Sequence, residues 1–357
     1  TTCGLKECIQ EVSKRLDWAN KKNGPKVEGR VVGMASLIHV GGGARVYKSD
    51  GCGTIVKVDD FGAVDVFTGS TDMGQGADTV IAQMVAEEIG VLAEDVNIID
   101  RDTDVCPWDV GAHASRTLYV GGLAVKAACE KVTKQFFERA ATALESNVED
   151  LEMKDKKIFV KGSPDKMIPV QQITAMGVYN FVDPATGKTV GIPGQIQGYA
   201  SHFAPHNSPP FAACFMEVEV DIETGEVKVL ESVQAYDIGR AIHPPSCEGQ
   251  NEGALQQGMG MALMEEIYYD KNGLCLNSSF TDYKMPGPAD MPKFTNILVE
   301  DPDPIGPYGA KSAGEGALAN PPGAVLNAIR NAIGIMITDV PATPEKILKA
   351  IKEQGIK

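Results

Sequence analysis

The sequence predicts an α+β fold built from two related subdomains, each a β-hairpin followed by a loop and a helix. Three observations point to it. "GTIVKVDDFGAVDVFTG" (53–69) alternates apolar and polar residues on either side of Asp59-Asp60-Phe61-Gly62, as two strands joined by a turn do. "FAACFMEVEVDIETGEVKVLESV" (211–233) reads as another hairpin, turning at Glu223-Thr224-Gly225. Each hairpin is followed by a loop, a helical stretch and a glutamine–glycine cluster near the helix start, an order that suggests a duplication. Between the two, residues 146–210 run from a charged stretch into the Gly/Pro-rich "VDPATGKTVGIPGQIQGYASHFAPHNSPP", with little periodicity. The expected division is therefore 1–145, a linking segment 146–210, and 211–357.

The remaining elements follow in order. "LKECIQEVSKRLDW" sets Leu5, Cys8, Ile9, Val12 and Leu16 on one helical face. "GRVVGMASLIHV" reads as a strand and "VGGGARV" as a glycine turn. After the first hairpin come a helix at 77–89, the strand "VNII" at 96–99, and a long helix after "CPWDVGAHASRT". In the second half, "SCEGQNEGALQQGMGMALMEE" is helical, Pro321 and Pro322 start a helix, and Thr343-Pro344 opens a closing one.

With 357 residues and a net charge of −15, the chain is long enough for a substantial core and the wrong sign for a nucleic-acid surface or an anionic membrane. Arg330 and two asparagines interrupt the longest apolar run, so neither a membrane span nor a signal peptide is expected. The eight cysteines form no C-x-x-C and no iron–sulfur spacing, and read as reduced thiols in a cytoplasmic protein. Because the chain opens on Thr1, it is expected to be trimmed or one piece of something longer.

Three loops carry the candidate chemistry. In "STDMGQGADT", Gly74-Gln75-Gly76 stands between a strand and a helix, where free amides attract anions. A dinucleotide fold competes there, since Asp100 follows the turn by about 24 residues, but Thr79 occupies the place of its third glycine. A plain solvated turn is the third reading. In "GAHASRT", the small Ala114 and the hydroxyls of Ser115 and Thr117 suit a phosphate or a heterocycle, and Arg116 adds a charged fork; a helix cap is the alternative. In "GAKSAGEGALANPPG", Glu315 is flanked by glycines with Ala313 and Ala317 beyond them, the clearance that a general base needs, or a surface turn. His202 and His206 lack a third ligand at a zinc interval, and His39, His113 and His243 read as structural. No G-x-S-x-G elbow or Walker loop occurs.

Taken together, "STDMGQGADT", "GAHASRTLYVGG", "AYDIGRAIHPPSCEGQNEGALQQG", "GPYGAKSAGEG" and "PATPEKI" resemble the xanthine dehydrogenase/aldehyde oxidase family of molybdenum hydroxylases. The likeness is to the C-terminal half of the molybdopterin-binding subunit and runs from about residue 30 to 352. It implies that Gln75 contacts the molybdenum centre, with Gly74 and Gly76 letting the chain close on the pterin. It implies that Ala114, Ser115, Arg116 and Thr117 bind the pterin or its phosphate and nucleotide tail, that Gln250 lies against the cofactor, and that Glu315 is the catalytic base. The implied cofactor is molybdenum–molybdopterin, including its cytosine dinucleotide form. The implied partners are the other half of the molybdopterin subunit, an iron–sulfur subunit carrying [2Fe-2S] and an FAD subunit. The implied reaction oxidises an N-heteroaromatic, purine or aldehyde with oxygen from water. A reductive member acting on an aromatic acyl thioester and a non-catalytic cofactor-binding module are the alternatives. Many members continue the catalytic motif with proline where this chain has Gly316, which suggests a more mobile loop.

Overall fold

The computed structural model describes residues 2–24, 29–43, 50–179, 187 and 194–353. The predicted glycine turn at 40–46 and the Gly/Pro-rich segment at 182–193 lie partly outside them. The fold is mixed α and β, as expected, and contacts divide it into two compact units that are not contiguous along the chain: residues 1–41 with 208–357, and residues 42–207.

In the unit formed by 42–207, strands β2 (Gly51–Val58) and β3 (Val64–Thr68) form the first predicted hairpin. Helix α3 (Ala77–Ile89) leads to β4 (Val96–Ile99), which pairs in parallel with β3. A loop and helix α4 (Gly122–Ala143) follow, and β8 (Ile196–Phe203) closes the sheet against β2. The helix lies so close that a Cβ at Gly198 would run into the Ala128 backbone carbonyl, so only glycine permits the contact.

The other unit repeats this plan. Strands β9 (Phe211–Val220) and β10 (Val227–Asp237) form the second hairpin, and helix α6 (Pro244–Leu263) leads to β11 (Lys293–Val299), parallel to β10. A loop and helix α7 (Asn320–Ile333) follow, then α8 (Pro344–Glu353). The fourth strand is β1 (Arg30–Ile38), which pairs with β9. Strand orders β4-β3-β2-β8 and β11-β10-β9-β1 therefore correspond one to one. In each repeat, the strand just ahead of a hairpin in sequence pairs with the other repeat's hairpin: β1 precedes β2 but joins β9, and β8 precedes β9 but joins β2. This exchange is why contiguous boundaries such as 1–145 do not describe the compact units.

Burial explains the strand sequences. On β9, Ala213 and Phe215 face Cys8 and Val12 of α1 (Leu5–Arg15) and Leu16 at its end, ahead of the short α2 (Trp18–Asn23). The alternate residues Cys214, Met216 and Val218 face Leu255 and Met259 of α6 and Ala324, Val325, Ala328 and Ile329 of α7. A strand covered on both faces reads as a continuous apolar run, as "FAACFM" does. Gly33 on β1 lies against α7, where an added Cβ would be 2.7 Å from that of Ala328.

The linking segment holds more structure than its sequence predicts. Strands β5 (Leu151–Lys154), β6 (Lys157–Val160) and β7 (Ser163–Pro169) form a small sheet, followed by α5 (Val170–Val178). Its β7 buries Ile168 alone among residues 163–169, so there is no alternation to detect. Cys8, Cys52, Cys129 and Cys214 are buried free thiols; burial pushes Cys8, Cys52 and Cys214 up to about 12. Among the described residues no helix is long and apolar enough to cross a membrane.

Candidate functional site

The Gly74-Gln75-Gly76 turn joins β3 to α3, and its backbone is already occupied. Asp72 accepts from the N–H groups of Gly74 (2.6 Å), Gly76 (3.4 Å) and Asp78 (3.0 Å). Burial raises the Asp72 carboxyl, but these donors outweigh it and hold the group below its usual value. A carboxylate at the helix start displaces a phosphate, so the anion and dinucleotide readings of this turn do not hold. The antiparallel β2–β3 hairpin argues the same way.

Gln75 is half-buried and folded over its own loop. Its Nε2 donates to the Thr71 carbonyl (3.0 Å) and its Oε1 accepts from Met73 N–H (2.6 Å). A carboxamide has a second N–H and a second lone pair, so the side chain is aimed by the loop while keeping capacity for a ligand. Gly74 and Gly76 both have positive φ, 106° and 87°. A Cβ at Gly74 would meet nothing within 4 Å, which leaves open space on that side of the turn.

The 111–117 loop takes an unusual backbone. Ala114 and Ser115 are consecutive non-glycine residues with φ of 51° and 56°, and Gly42 N–H donates to the Ala114 carbonyl at 2.9 Å. Such strained pairs persist where surrounding structure fixes them, often beside a ligand. Arg116 is committed inside its own unit. Its side chain is 1% exposed and is bonded to Asp50, to Asp109 (2.7 Å) and to the carbonyls of Gly111 (2.9 Å) and Gly51 (2.8 Å). The buried fork holds the loop together, with four of its five N–H groups bonded inside the protein. Ala114, Ser115 and Thr117 remain half-buried at the surface of the loop.

In the other unit, the equivalent loop before α7 carries Glu315. Lys311 and Asp237 form an ion pair of 2.6 Å with neither side chain exposed. Asp237 also accepts from Gly4 N–H (2.8 Å) and Gly239 N–H (3.2 Å). Four residues on from this anchor, Glu315 stands 55% exposed, its Oε2 3.7 Å from His39 Nε2. Gly314, with φ of 130°, turns the chain there. Gly316 is buried, and a Cβ on it would lie 2.5 Å from Tyr236 Oη. Glycine in place of the family's proline thus admits the tyrosine. Burial pushes the Tyr236 phenol well above its usual value.

Gln250 lies half-buried on α6, the counterpart of α3, and among the described residues its amide has no hydrogen-bond partner. His243 caps the same helix by accepting from Ser246 N–H at 3.2 Å, a structural role as expected. Lys311 was not singled out in the sequence, and His39 read there as structural. Lysine inside "GAKSAGEG", among residues with no other charge before the glutamate, was a signal for the first. Nothing in the sequence pairs the second with Glu315.

A family model described as a molybdopterin cofactor-binding domain matches residues 8–292. This chain belongs to that family, that of the molybdenum hydroxylases. The putative xanthine dehydrogenase molybdenum-binding subunit of Escherichia coli K12 is 31% identical over 99% of this chain and 47% of its own length. The 6-hydroxypseudooxynicotine dehydrogenase complex subunit gamma of Paenarthrobacter nicotinovorans is 31% identical over 94% of this chain and 42% of its own. Among solved structures, quinoline 2-oxidoreductase from Pseudomonas putida 86 superposes with a TM-score of 0.85 at 26% identity, covering 98% of this chain and 46% of that one. The chain therefore spans less than half the length of these hydroxylase relatives.

Proposed function

We propose that this chain forms part of the molybdopterin-binding subunit of a molybdenum hydroxylase, with Glu315 as its general base. The observation that carries this is the setting of Glu315. It is an exposed carboxylate on a loop whose Ala310, Lys311, Ser312, Gly316 and Ala317 are all buried. A solubilising charge needs no such anchoring, whereas a base must be held still with one side open to substrate.

The residues present fit the cofactor. In the unit of residues 42–207, the space beside Gly74, the remaining capacity of Gln75 and the left-handed Ala114–Ser115 pair suit a flat, hydrogen-bonding ligand. Within the unit of residues 42–207, Gln75, Ala114, Ser115 and Thr117 would hold it, with Arg116 shaping their loop, and in the other unit Gln250 is proposed as a cofactor contact on its own account. When bound, molybdenum–molybdopterin supplies the redox chemistry that no side chain here provides. The chain's own work is to orient the cofactor and to accept a proton at Glu315 Oε1 or Oε2.

Relatives named as subunits of a complex and of a dehydrogenase support partner chains for this one: the other part of the molybdopterin subunit, an iron–sulfur subunit with [2Fe-2S], and an FAD subunit. Eight free thiols fit a reducing, cytoplasmic compartment. The substrate class proposed is an N-heteroaromatic, purine or aldehyde. The test is molybdenum analysis of the native assembly with turnover on nicotinate, purines, aldehydes and aryl thioesters, for wild type and Glu315→Gln. The variant should keep its molybdenum and lose turnover by about 10²–10⁴-fold, the usual contribution of a general base. Near-normal rates would remove Glu315 from the mechanism, and absence of stoichiometric molybdenum would remove the cofactor.

A further inference from the structure

The exchanged strand β1 does more than complete a sheet, because it delivers the residue after its end to the Glu315 loop. His39 is fixed by its backbone: its N–H donates to the Pro210 carbonyl at 3.2 Å, and Ser208 N–H donates to the Gly41 carbonyl at 2.7 Å. Gly41 has φ of 60°, and a Cβ on it would run into the Ser208 carbonyl, so the turn takes this path only with glycine. The ring is fixed as well. His39 Nδ1 accepts from Gly41 N–H at 3.3 Å, which places the proton of the neutral imidazole on Nε2. Nε2 faces Glu315 Oε2 at 3.7 Å, with the His39 side chain 18% exposed.

We propose that His39 is a positioning residue for Glu315, its backbone-anchored ring directing Nε2–H toward the carboxylate. This rests on Glu315 being the base. At 3.7 Å the contact is longer than a hydrogen bond, so the neutral ring borders the carboxylate without stripping it of basicity. Burial lowers the His39 pKa below its usual value, and the Glu315 charge raises it only part of the way back. The ring is therefore neutral at pH 7. As pH falls through the His39 pKa, an imidazolium forms beside Glu315 and weakens it as a base.

Glu315 is the charged group that acts on His39. In the same loop, Lys311 is committed to Asp237. Residues 208–211 of the strand start beside it, Ser208, Pro209, Pro210 and Phe211, carry no charge.

The coupling can be read without turnover. Peptide mass spectrometry of diethyl pyrocarbonate modification, which follows the neutral ring, gives the His39 titration in the native assembly of wild type and Glu315→Gln. Two charges 3.7 Å apart, screened as fully as in water, still shift a titration by about 0.8 pH unit. The His39 midpoint should therefore fall by about half a unit or more in Glu315→Gln, and an unmoved midpoint would overturn the pairing. Turnover gives a second reading. His39→Phe should lower kcat by about tenfold with KM and molybdenum content kept, while His39→Gln, whose amide N–H can replace Nε2–H, should recover most of it. An unchanged kcat and acid limb in His39→Phe would also overturn it. If Glu315→Gln turns over normally, the base assignment fails, and the modification result still decides whether the pair exists.

Discussion

Replacing Lys311 by methionine tests whether the Glu315 loop is held by the buried ion pair beneath it. In the wild type, Lys311 Nζ lies 2.6 Å from Asp237 Oδ2 and 3.3 Å from the Thr2 carbonyl. Methionine fills much of the same volume against Phe211 but leaves Asp237 with only the Gly4 and Gly239 N–H groups. An uncompensated carboxylate with no solvent exposure costs about 3–5 kcal/mol. Urea unfolding of Lys311→Met should show a lower midpoint at unchanged slope, and hydrogen exchange should place the loss in residues 1–41 and 208–357. Adding Asp237→Asn removes the stranded charge, so the double variant should recover at least about 2 kcal/mol. Turnover of the single variant should fall with stability, because Glu315 follows the anchor by four residues. A loss below about 1 kcal/mol, or a double variant as unstable as the two singles added together, would refute the reasoning.

Other substitutions probe the remaining elements. Gln75→Ala removes both side-chain bonds of its loop and should reduce molybdenum retention or alter the metal's absorption spectrum; identical content and spectra would place Gln75 off the cofactor. Gly33→Ala should destabilise by about 1–3 kcal/mol in urea unfolding, because β1 cannot move away from α7 without breaking its pairing with β9. Asp78 is pushed up to about 6 by burial and by the neighbouring Asp100 and Asp72, with Arg101 opposing. A raised carboxyl favours the folded state below its unfolded pKa, and that benefit is lost as pH rises through about 6. Asp78→Asn should therefore raise Tm by about 1–2 °C near pH 7.5, with the gain gone near pH 4. A gain that persists in acid would show that charge is not its cause.

What the sequence determined is local. Period-two alternation located the first hairpin and the Glu223-Thr224-Gly225 turn the second, helical spacing located α1, α3, α4, α6 and α7, and glycines on either side of Gln75 and Glu315 marked loops with room for another body. The ordered motifs carried the family. The small sheet at 151–169 escaped because its exposed, charged strands bury too little to leave a pattern. The exchange of β1 and β8 escaped because a strand's sequence records that one face is covered and not which strand lies beside it. Arg116 looked like an anion fork because the carboxylates that claim it, Asp50 and Asp109, lie 66 and 7 residues away. His39 looked structural because Glu315 is 276 positions along the chain. Side-chain type and spacing fix what a residue is able to do, but its partner is set by contacts between distant segments, and only the tertiary structure decides those.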